Sequence, residues 1–125
     1  MDEREPHVLI LVGDGPMSPV ERALRTAGHR VDATSLAEPV LAATKPVPPE
    51  VVVVAYRAED RHRAWNVLTV LRGSRALQML PIVVATDDAG QIERFRDRFA
   101  GMGIAVLIDP DDATLVAEVR RRARS

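Results

Sequence analysis

The chain has 125 residues, of which 46% are hydrophobic and 28% are charged, and its formal net charge is −1. This length fits one domain with a sizeable core, and the near-neutral charge gives no electrostatic reason to expect nucleic-acid or membrane binding. Because the chain contains no cysteine, disulfide bonds, zinc–thiolate sites and thiol catalysis are excluded.

No run of apolar residues approaches the roughly 20 that a membrane-spanning helix requires. Residues 1–6 are mostly charged, which is not the pattern of a secretory signal. We therefore expect a single cytoplasmic domain over residues 1–125, in which residues 1–6 form a charged lead-in.

The first segments predict a strand, a turn and a helix. Residues 7–12 are an apolar run typical of a buried strand, and the glycine- and proline-rich residues 13–16 indicate a turn. Ser18, Pro19 and Glu21 then indicate a helix start, because serine caps a helix, proline suits its first position and glutamate completes a capping box.

The four consecutive valines of residues 51–54 predict the central strand, because a strand buried on both faces shows no alternation of apolar and polar residues. Before it we predict a short edge strand over 30–34 and a brief helix over 38–43. After it, strands and helices alternate over these ranges: helix 62–71, strand 81–86, helix 91–100, strand 104–108 and a helix capped by Asp112.

Three of these helices carry apolar residues at helical spacing, which predicts their buried faces. The residues are Ala64, Trp65, Leu68 and Leu71 in the first, Ile92, Phe95 and Phe99 in the second, and Leu115, Val116 and Val119 in the third. Strands separated by helices of this length indicate an α/β fold with parallel strands and right-handed crossovers.

Four segments, in this order and spacing, resemble the receiver domain of two-component response regulators. They read LILVGDGP (9–16), PEVVVVA (49–55), LPIVVAT (80–86) and GIAVLIDP (103–110). The resemblance covers the chain from about Val8 to Arg124. It implies the flavodoxin-like (βα)5 receiver fold, in which a five-stranded parallel sheet of order 2-1-3-4-5 carries helices on both faces.

The resemblance also implies a phosphorylation pocket at the carboxyl ends of the strands. The chain keeps Asp14 from the acidic pair, Thr86 as the hydroxyl and the proline after the fifth strand. Other positions differ: Gly13 replaces an acid, Ala55 the phosphoacceptor aspartate, Asp109 the lysine and Val106 an aromatic residue. The altered pocket comprises Gly13, Asp14, Ala55, Tyr56, Thr86, Asp87, Asp109 and Pro110.

These differences remove the chemistry of phosphorylation. A phosphoryl group adds roughly −1.5 to −2 charges and three acceptor oxygens, which cations and hydrogen-bond donors must satisfy. Ala55 has no oxygen to accept it, and Asp109 places a negative charge where a positive one is needed. We therefore expect a phosphorylation-independent pseudo-receiver that is not an enzyme, uses no cofactor and regulates a transcriptional or kinase pathway.

Two interpretations of the loop acids stay open. Asp14, Asp87, Asp88 and Asp109 could bind Mg²⁺ or Ca²⁺, with Asp14 and Asp109 as the weak candidate ligands, and the pocket could then be a metal or small-molecule site. Alternatively, Asp87 and Asp88 cap the next helix and point to solvent. We favour the second interpretation, because spacing alone does not establish the ligand number that a metal requires.

Tyr56 and Trp65 each allow a functional and a packing interpretation. Tyr56 could fill the altered pocket or bind a partner, but we expect it to pack beside the central strand with its hydroxyl in water. Trp65 could anchor an interface, yet its helical spacing favours the core. His7, His29 and His62 have no nucleophile or carboxylate at a motif spacing that would indicate catalysis.

The arginines of helix 91–100 and of the last helix indicate a candidate interaction surface. The resemblance implies pairing through the fourth helix, the fifth strand and the fifth helix. That surface corresponds here to Arg94, Arg98, Val106, Glu118 and Arg121, with Glu93, Asp97 and Glu118 as complementary acids. A solvated helix surface explains the same charges. We expect a protein partner or a homodimer on this surface, with no direct nucleic-acid binding and no membrane contact.

Overall fold

The computed structural model describes residues 7–12, 19–35, 50–73 and 79–123. The strands are β1 (His7–Val12), β2 (Arg30–Ser35), β3 (Val51–Tyr56), β4 (Ile82–Thr86) and β5 (Ile104–Ile108). The helices are α1 (Pro19–Thr26), α2 (Arg61–Gly73), α3 (Ala89–Arg94), α4 (Arg96–Gly101) and α5 (Asp112–Ala123), and a 3-10 turn spans Ala58–Asp60. The predicted turn at 13–16, the Ser18 cap and the predicted helix over 38–43 lie outside the described residues.

The five strands form one parallel sheet in the order β2-β1-β3-β4-β5, which confirms the predicted order. β3 lies at the centre, and all six of its residues are buried. Its unbroken valine run follows from this position, because helices cover both faces of the strand. β2 lies at an edge of the sheet, as its weaker pattern predicted.

The side chains of β3 alternate between two cores. Val52, Val54 and Tyr56 belong to the core beneath α2, α3 and α4. Val51 and Val53 belong to the second core, beneath α1 and α5. Because the strands are parallel, the polar residues that follow each strand meet at one edge of the sheet, between these two layers.

The helix predicted over residues 91–100 is two short helices in the structure. α3 begins before the predicted start and ends at Arg94, where Phe95 leaves the helical conformation with φ −117° and ψ 22°. The backbone N–H of Phe95 is shared between two carbonyl oxygens of α3, at 3.1 and 3.2 Å. Such shared hydrogen bonds are common where a helix ends.

Trp65 of α2 packs across this break. Its ring stacks on the Phe99 ring with centroids 5.0 Å apart, and it meets the Phe95 ring edge-on at 5.6 Å. Both rings contact the same indole, since residues four apart lie on one side of this segment. Trp65 is half-buried and packs against the core beneath α2–α4, which supports the packing interpretation of this residue.

The other predicted helix faces are largely confirmed. α2 buries Ala64, Leu68 and Leu71, and α5 buries Leu115 and Val119. The valine between the last two is half-buried. None of the described helices is long and apolar enough to cross a membrane.

Leu68 and Val70 lie on opposite faces of α2, since Leu68 is 1% exposed and Val70 is 42% exposed. Leu68→Ala leaves a cavity in the core, so we expect it to lower the free energy of unfolding by about 2–5 kcal/mol. Val70→Ala is the matched control and should change that free energy by less than about 0.5 kcal/mol. Urea denaturation followed by tryptophan fluorescence measures both, and equal effects would contradict this packing of α2.

Candidate functional site

The sheet brings together the described members of the predicted pocket. Ala55 and Tyr56 end β3, and Tyr56 is in register with Thr86 at the end of β4. Thr86 is in turn in register with Ile108, so Asp109 follows directly beyond β5. The backbone N–H of Asp109 donates to the Thr86 carbonyl at 2.9 Å. Gly13 and Asp14 lie outside the described residues.

The position that the resemblance assigns to the phosphoacceptor carries no oxygen in its side chain. The side chain of Ala55 is a methyl group, and the residue is only 8% exposed. Its register neighbour on β4 is Ala85, another methyl. An acyl phosphate forms on a carboxylate oxygen, and neither of these side chains carries one.

Tyr56 is placed differently from our expectation. It is 5% exposed, and its ring packs in the core beneath α2–α4. Its hydroxyl is hydrogen-bonded to the Thr86 side chain and does not lie in water. The correction follows from strand alternation, because Tyr56 faces the same side of β3 as Val52 and Val54.

The Tyr56 phenol has a pKa above its ordinary value. Burial is the largest cause, because it disfavours the charged phenolate. The hydrogen bond with Thr86 and the charge of Arg61 act in the opposite direction, and the charges of Asp88 and Asp87 raise the pKa further. The phenol is therefore a neutral hydrogen-bonding group at physiological pH.

Asp88 neither caps α3 with its side chain nor points to solvent, so our interpretation of this residue was wrong. It is 6% exposed, and its carboxylate accepts two hydrogen bonds from the Arg61 guanidinium, at 2.9 and 3.0 Å. Its backbone N–H donates to the Thr86 hydroxyl at 3.1 Å. The guanidinium fork matches both carboxylate oxygens, and this pairing offsets the cost of burying the charge.

Asp87 is exposed, as expected, but it stabilises the loop after β3. Its carboxylate accepts a hydrogen bond from the Ala58 N–H at 3.0 Å. The loops after β3 and β4 are therefore joined twice, by this bond and by the ion pair described above. We call the joined group the loop clamp; its members are Tyr56, Ala58, Arg61, Thr86, Asp87 and Asp88.

The loop beyond β5 departs from our prediction in one respect. Asp109 is exposed and has a φ of 46°, a left-handed conformation that aspartate tolerates better than most residues. Asp111, and not Asp112, caps α5, because its carboxylate accepts the Thr114 N–H at 2.8 Å. The side chain and backbone of Thr114 hold the pKa of Asp111 below its ordinary value.

The metal interpretation gains no support from the described ranges. Within residues 7–12, 19–35, 50–73 and 79–123, no three acidic, histidine or cysteine side chains come close enough together to hold a metal ion. Asp88 is engaged by Arg61, and Asp109 is exposed on a separate loop. Asp14, the other weak candidate, lies outside these ranges.

The predicted interface residues, which we call the surface around β5, lie on α3 (Arg94), α4 (Arg98), β5 (Val106) and α5 (Glu118 and Arg121). Some of their charges are already paired within the chain. Arg94 and Arg98 are exposed, and the Arg98 guanidinium lies 5.6 Å from the centroid of the Phe95 ring. Val106 is half-buried and packs against the core beneath α2–α4. Glu93 of α3 forms an ion pair with Arg96 of α4, at 2.8 Å.

Glu118 is also paired internally, within α5. It accepts hydrogen bonds from Arg121 at 2.6 Å and from Arg122 at 2.8 Å. Burial acts to raise the pKa of Glu118, but the bonds from Arg122 and Arg121 outweigh it and lower that pKa below its ordinary value. The predicted face therefore offers fewer uncompensated charges than the sequence indicated.

Tyr56 is the only tyrosine of the chain, so its titration can be followed by tyrosinate absorbance. We expect the folded protein to form phenolate only above the ordinary pKa of about 10, and the unfolded protein in urea to titrate near that value. The stability that this neutral phenol contributes is thus present below pH of about 10 and is lost as the pH rises through the folded-state pKa.

Thr86→Val is the matched variant for this titration. It removes a hydrogen bond that lowers the pKa of Tyr56, so the phenolate should appear at still higher pH. An ordinary tyrosine titration in the folded protein, unchanged by Thr86→Val, would contradict the buried position of the phenol.

Comparison with known proteins finds this fold in receiver domains, although no protein-family model and no curated protein matches the chain. The receiver domain of nitrogen regulatory protein C aligns over 95% of this chain and 94% of its own, with a TM-score of 0.70 and 23% identity. The receiver domain of a histidine kinase from Syntrophus aciditrophicus aligns over 95% and 90%, with a TM-score of 0.67 and 19% identity. A response regulator from Burkholderia multivorans aligns over 93% and 94%, with a TM-score of 0.62 and 20% identity. The chain thus has the flavodoxin-like fold of response-regulator receiver domains, as its sequence predicted.

Proposed function

We propose that this chain is a receiver-like signalling domain that acts by binding other proteins and is not controlled by phosphorylation. The observation that carries the proposal is Ala55, because a methyl group stands at the tip of the central strand where phosphorylation needs a carboxylate. The receiver fold supports a role in signal transduction, with regulation of transcription or of a kinase as its output. Binding of this kind requires no catalytic group and no cofactor.

The charges at the strand tips support the same function. Asp87 and Asp109 are both exposed there, so a phosphoryl group would meet carboxylates where it needs cations. The hydroxyl of Thr86 already bonds the Asp88 N–H and the Tyr56 side chain. Little bonding capacity is left for the oxygens of an added phosphate.

The loop clamp supports a fixed arrangement of the strand tips. A ligand shifts a conformational equilibrium only by as much as its affinity differs between the two states. In this chain the groups that could bind a phosphate more tightly in one state than in the other already bond one another. Arg61 pairs with the Asp88 carboxylate, and Thr86 accepts the Asp88 N–H. The conformation of the partner-binding surface then depends on folding and not on phosphorylation.

Incubation with acetyl phosphate and Mg²⁺ tests the proposal. We expect intact-mass spectrometry to detect no stable phosphoryl adduct, because Ala55 provides no acceptor oxygen. A receiver domain that has its phosphoacceptor aspartate, treated in parallel, shows that the reagent is active. A stable phosphoryl group on an aspartate of the unaltered chain would refute phosphorylation independence. Ala55→Asp is the matched variant, and we expect it also to remain unmodified, because Asp109 repels phosphate.

We also propose that the surface around β5 meets the partner, and that a second copy of the chain is one such partner. Arg94 and Arg98 are exposed charges of this surface, and Val106 of β5 is half-buried and packs against the core beneath α2–α4. Glu118 is already paired with Arg121 and Arg122 within α5, so we assign Glu118 and Arg121 a smaller part.

Sedimentation equilibrium tests pairing on this surface. We expect a concentration-dependent dimer that Arg94→Glu combined with Arg98→Glu weakens about tenfold, since two exposed charge pairs are worth about 1–2 kcal/mol together. Arg22→Glu combined with Arg30→Glu, on α1 and on the edge strand β2, is the matched control and should leave the dimer intact. A chain that stays monomeric at every concentration would exclude pairing of two copies.

A further inference from the structure

β5 is an edge strand whose composition is unusual for its place in the sheet. Within the described part of the chain it pairs with β4 alone. All of its residues, 104–108, are apolar. The first is buried, the next three are half-buried, and Ile108 is 37% exposed. The strand therefore presents apolar side chains at an edge that no described strand covers.

The helices leave both faces of β5 partly open. Val106 packs against the core beneath α2–α4, and Ala105 and Leu107 pack against the core beneath α1 and α5. All three nevertheless stay half-buried. α4 packs on β5, whereas α5 packs mainly over β3 and β4. The edge of β5 therefore remains open between the two helical layers.

The other edge strand carries charges that discourage further pairing, and β5 does not. Arg30 and Asp32 of β2 are both exposed, and charged side chains on an edge strand hinder its pairing with another chain. Residues 104–108 contain neither a charge nor a proline. The extended conformation ends only beyond them, where Asp109 has a φ of 46° and Pro110 follows.

One hydrogen bond shows which backbone groups of β5 point away from the sheet. The N–H of Asp109 donates to the Thr86 carbonyl of β4. The direction of these groups alternates along a strand, so the N–H groups of Ala105 and Leu107 also point towards β4. The residues whose N–H and carbonyl groups point outward, to the open edge, are Ile104, Val106 and Ile108.

The sequence of β5 is nearly the same in both directions. IAVLI becomes ILVAI when it is reversed. In an antiparallel pair of two copies centred on Val106, Ile104 of one copy therefore lies opposite Ile108 of the other. The small side chain of Ala105 likewise lies opposite the larger one of Leu107. A segment that complements itself in this way fits the two-fold symmetry of a homodimer.

Backbone hydrogen bonding fits the same register. Residues that face each other in an antiparallel pair alternate between hydrogen-bonded and non-bonded pairs. Centring on Val106 places all the outward-pointing residues in hydrogen-bonded pairs, which gives about six hydrogen bonds between the copies. Asp109 of each copy lies opposite Gly103 of the other, so the two carboxylates do not face each other.

We propose that the open edge of β5 is a strand-addition site for a second copy of this chain, with the two β5 strands antiparallel about Val106. The two five-stranded sheets then form one continuous sheet. The inference rests on the proposed pairing of two copies through the surface around β5, and it assigns the contact to the strand backbone. A strand pair of this length forms a small interface, so we expect a transient dimer.

Amide hydrogen exchange followed by NMR tests the proposal residue by residue. At a concentration where about nine-tenths of the chains are paired, the amides of Val106 and Ile108 should exchange about tenfold more slowly than in the monomer, because only the unpaired tenth exchanges. The amides of Ala105 and Leu107, which point to β4, are the internal reference and should be protected at every concentration. Fast exchange of the outward amides at all concentrations, or a chain that stays monomeric, would overturn the proposal.

Two variants test the edge by sedimentation equilibrium. Val106→Pro removes the outward N–H at the centre of the pair and keeps the bonds to β4, since an edge strand tolerates proline on its open side. We expect it to fold, as checked by circular dichroism, and to lose the dimer. Val106→Thr is the matched control, because it keeps the N–H and the branched side chain, and it should pair as the unaltered chain does.

Ile108→Lys is the second variant, and it decides the test where Val106→Pro fails to fold. It places a charge on the open edge and should weaken the dimer about tenfold. A dimer that Ile108→Lys leaves intact would overturn the proposal.

Two other outcomes would overturn this inference and leave the proposed function standing. If Arg94→Glu combined with Arg98→Glu weakens the dimer and the β5 variants do not, the helical surfaces hold the pair. If the outward amides are protected only by an added extended peptide of another sequence, the edge has a different occupant. A phosphoryl adduct in the acetyl phosphate experiment would instead overturn the proposed function.

Discussion

A buried carboxylate beside the tip of β4 sets the arrangement of the strand-tip loops. Asp88 is 6% exposed, and an unpaired charge at that depth would cost several kcal/mol. Arg61 must therefore lie within hydrogen-bonding distance of the Asp88 carboxylate. This requirement fixes where α2 begins relative to β4. The same loop reaches Thr86 and, through it, Tyr56. A change in one loop would leave a buried polar group without its partner, so the two loops behave as one unit.

The fold was predictable because its strongest signals are local. The valines of residues 51–54 have no polar side chain that could face water, so the strand had to be buried on both faces. The break at Phe95 was not predictable, because residues 91–100 have a continuous helical period. The rings of Phe95, at the break, and of Phe99, one turn later, contact Trp65, about thirty residues earlier. Periodicity within one segment carries no information about such long-range contacts.

The candidate site was predictable only as a set of positions. The resemblance identified two positions from residue type alone. They are Ala55, which has no carboxylate, and Asp109, whose charge is opposite to that of the lysine expected there. It did not give the pairing of Asp88 with Arg61, which lie 27 residues apart and share no motif. One signal was present: an aspartate two residues after a buried strand, and an arginine beginning a helix at the same edge of the sheet, are near enough to pair. Strand alternation likewise placed Tyr56 on the same side of β3 as Val52 and Val54.

The differences from a working phosphorylation pocket depend on one another. A carboxylate at position 55 would be nearly buried, and it would need a cation to offset its desolvation. Asp109 supplies no such cation, and Arg61 is already committed to Asp88. Conversely, a lysine in place of Asp109 would have no acceptor at Ala55 to neutralise. Ala55, Asp109 and the loop clamp are therefore consistent as a group. An aspartate at position 55 alone, or a lysine at position 109 alone, would create an unpaired charge at the strand tips. This mutual dependence supports the proposal that the site keeps a single conformation and that the helical surfaces bind the partner.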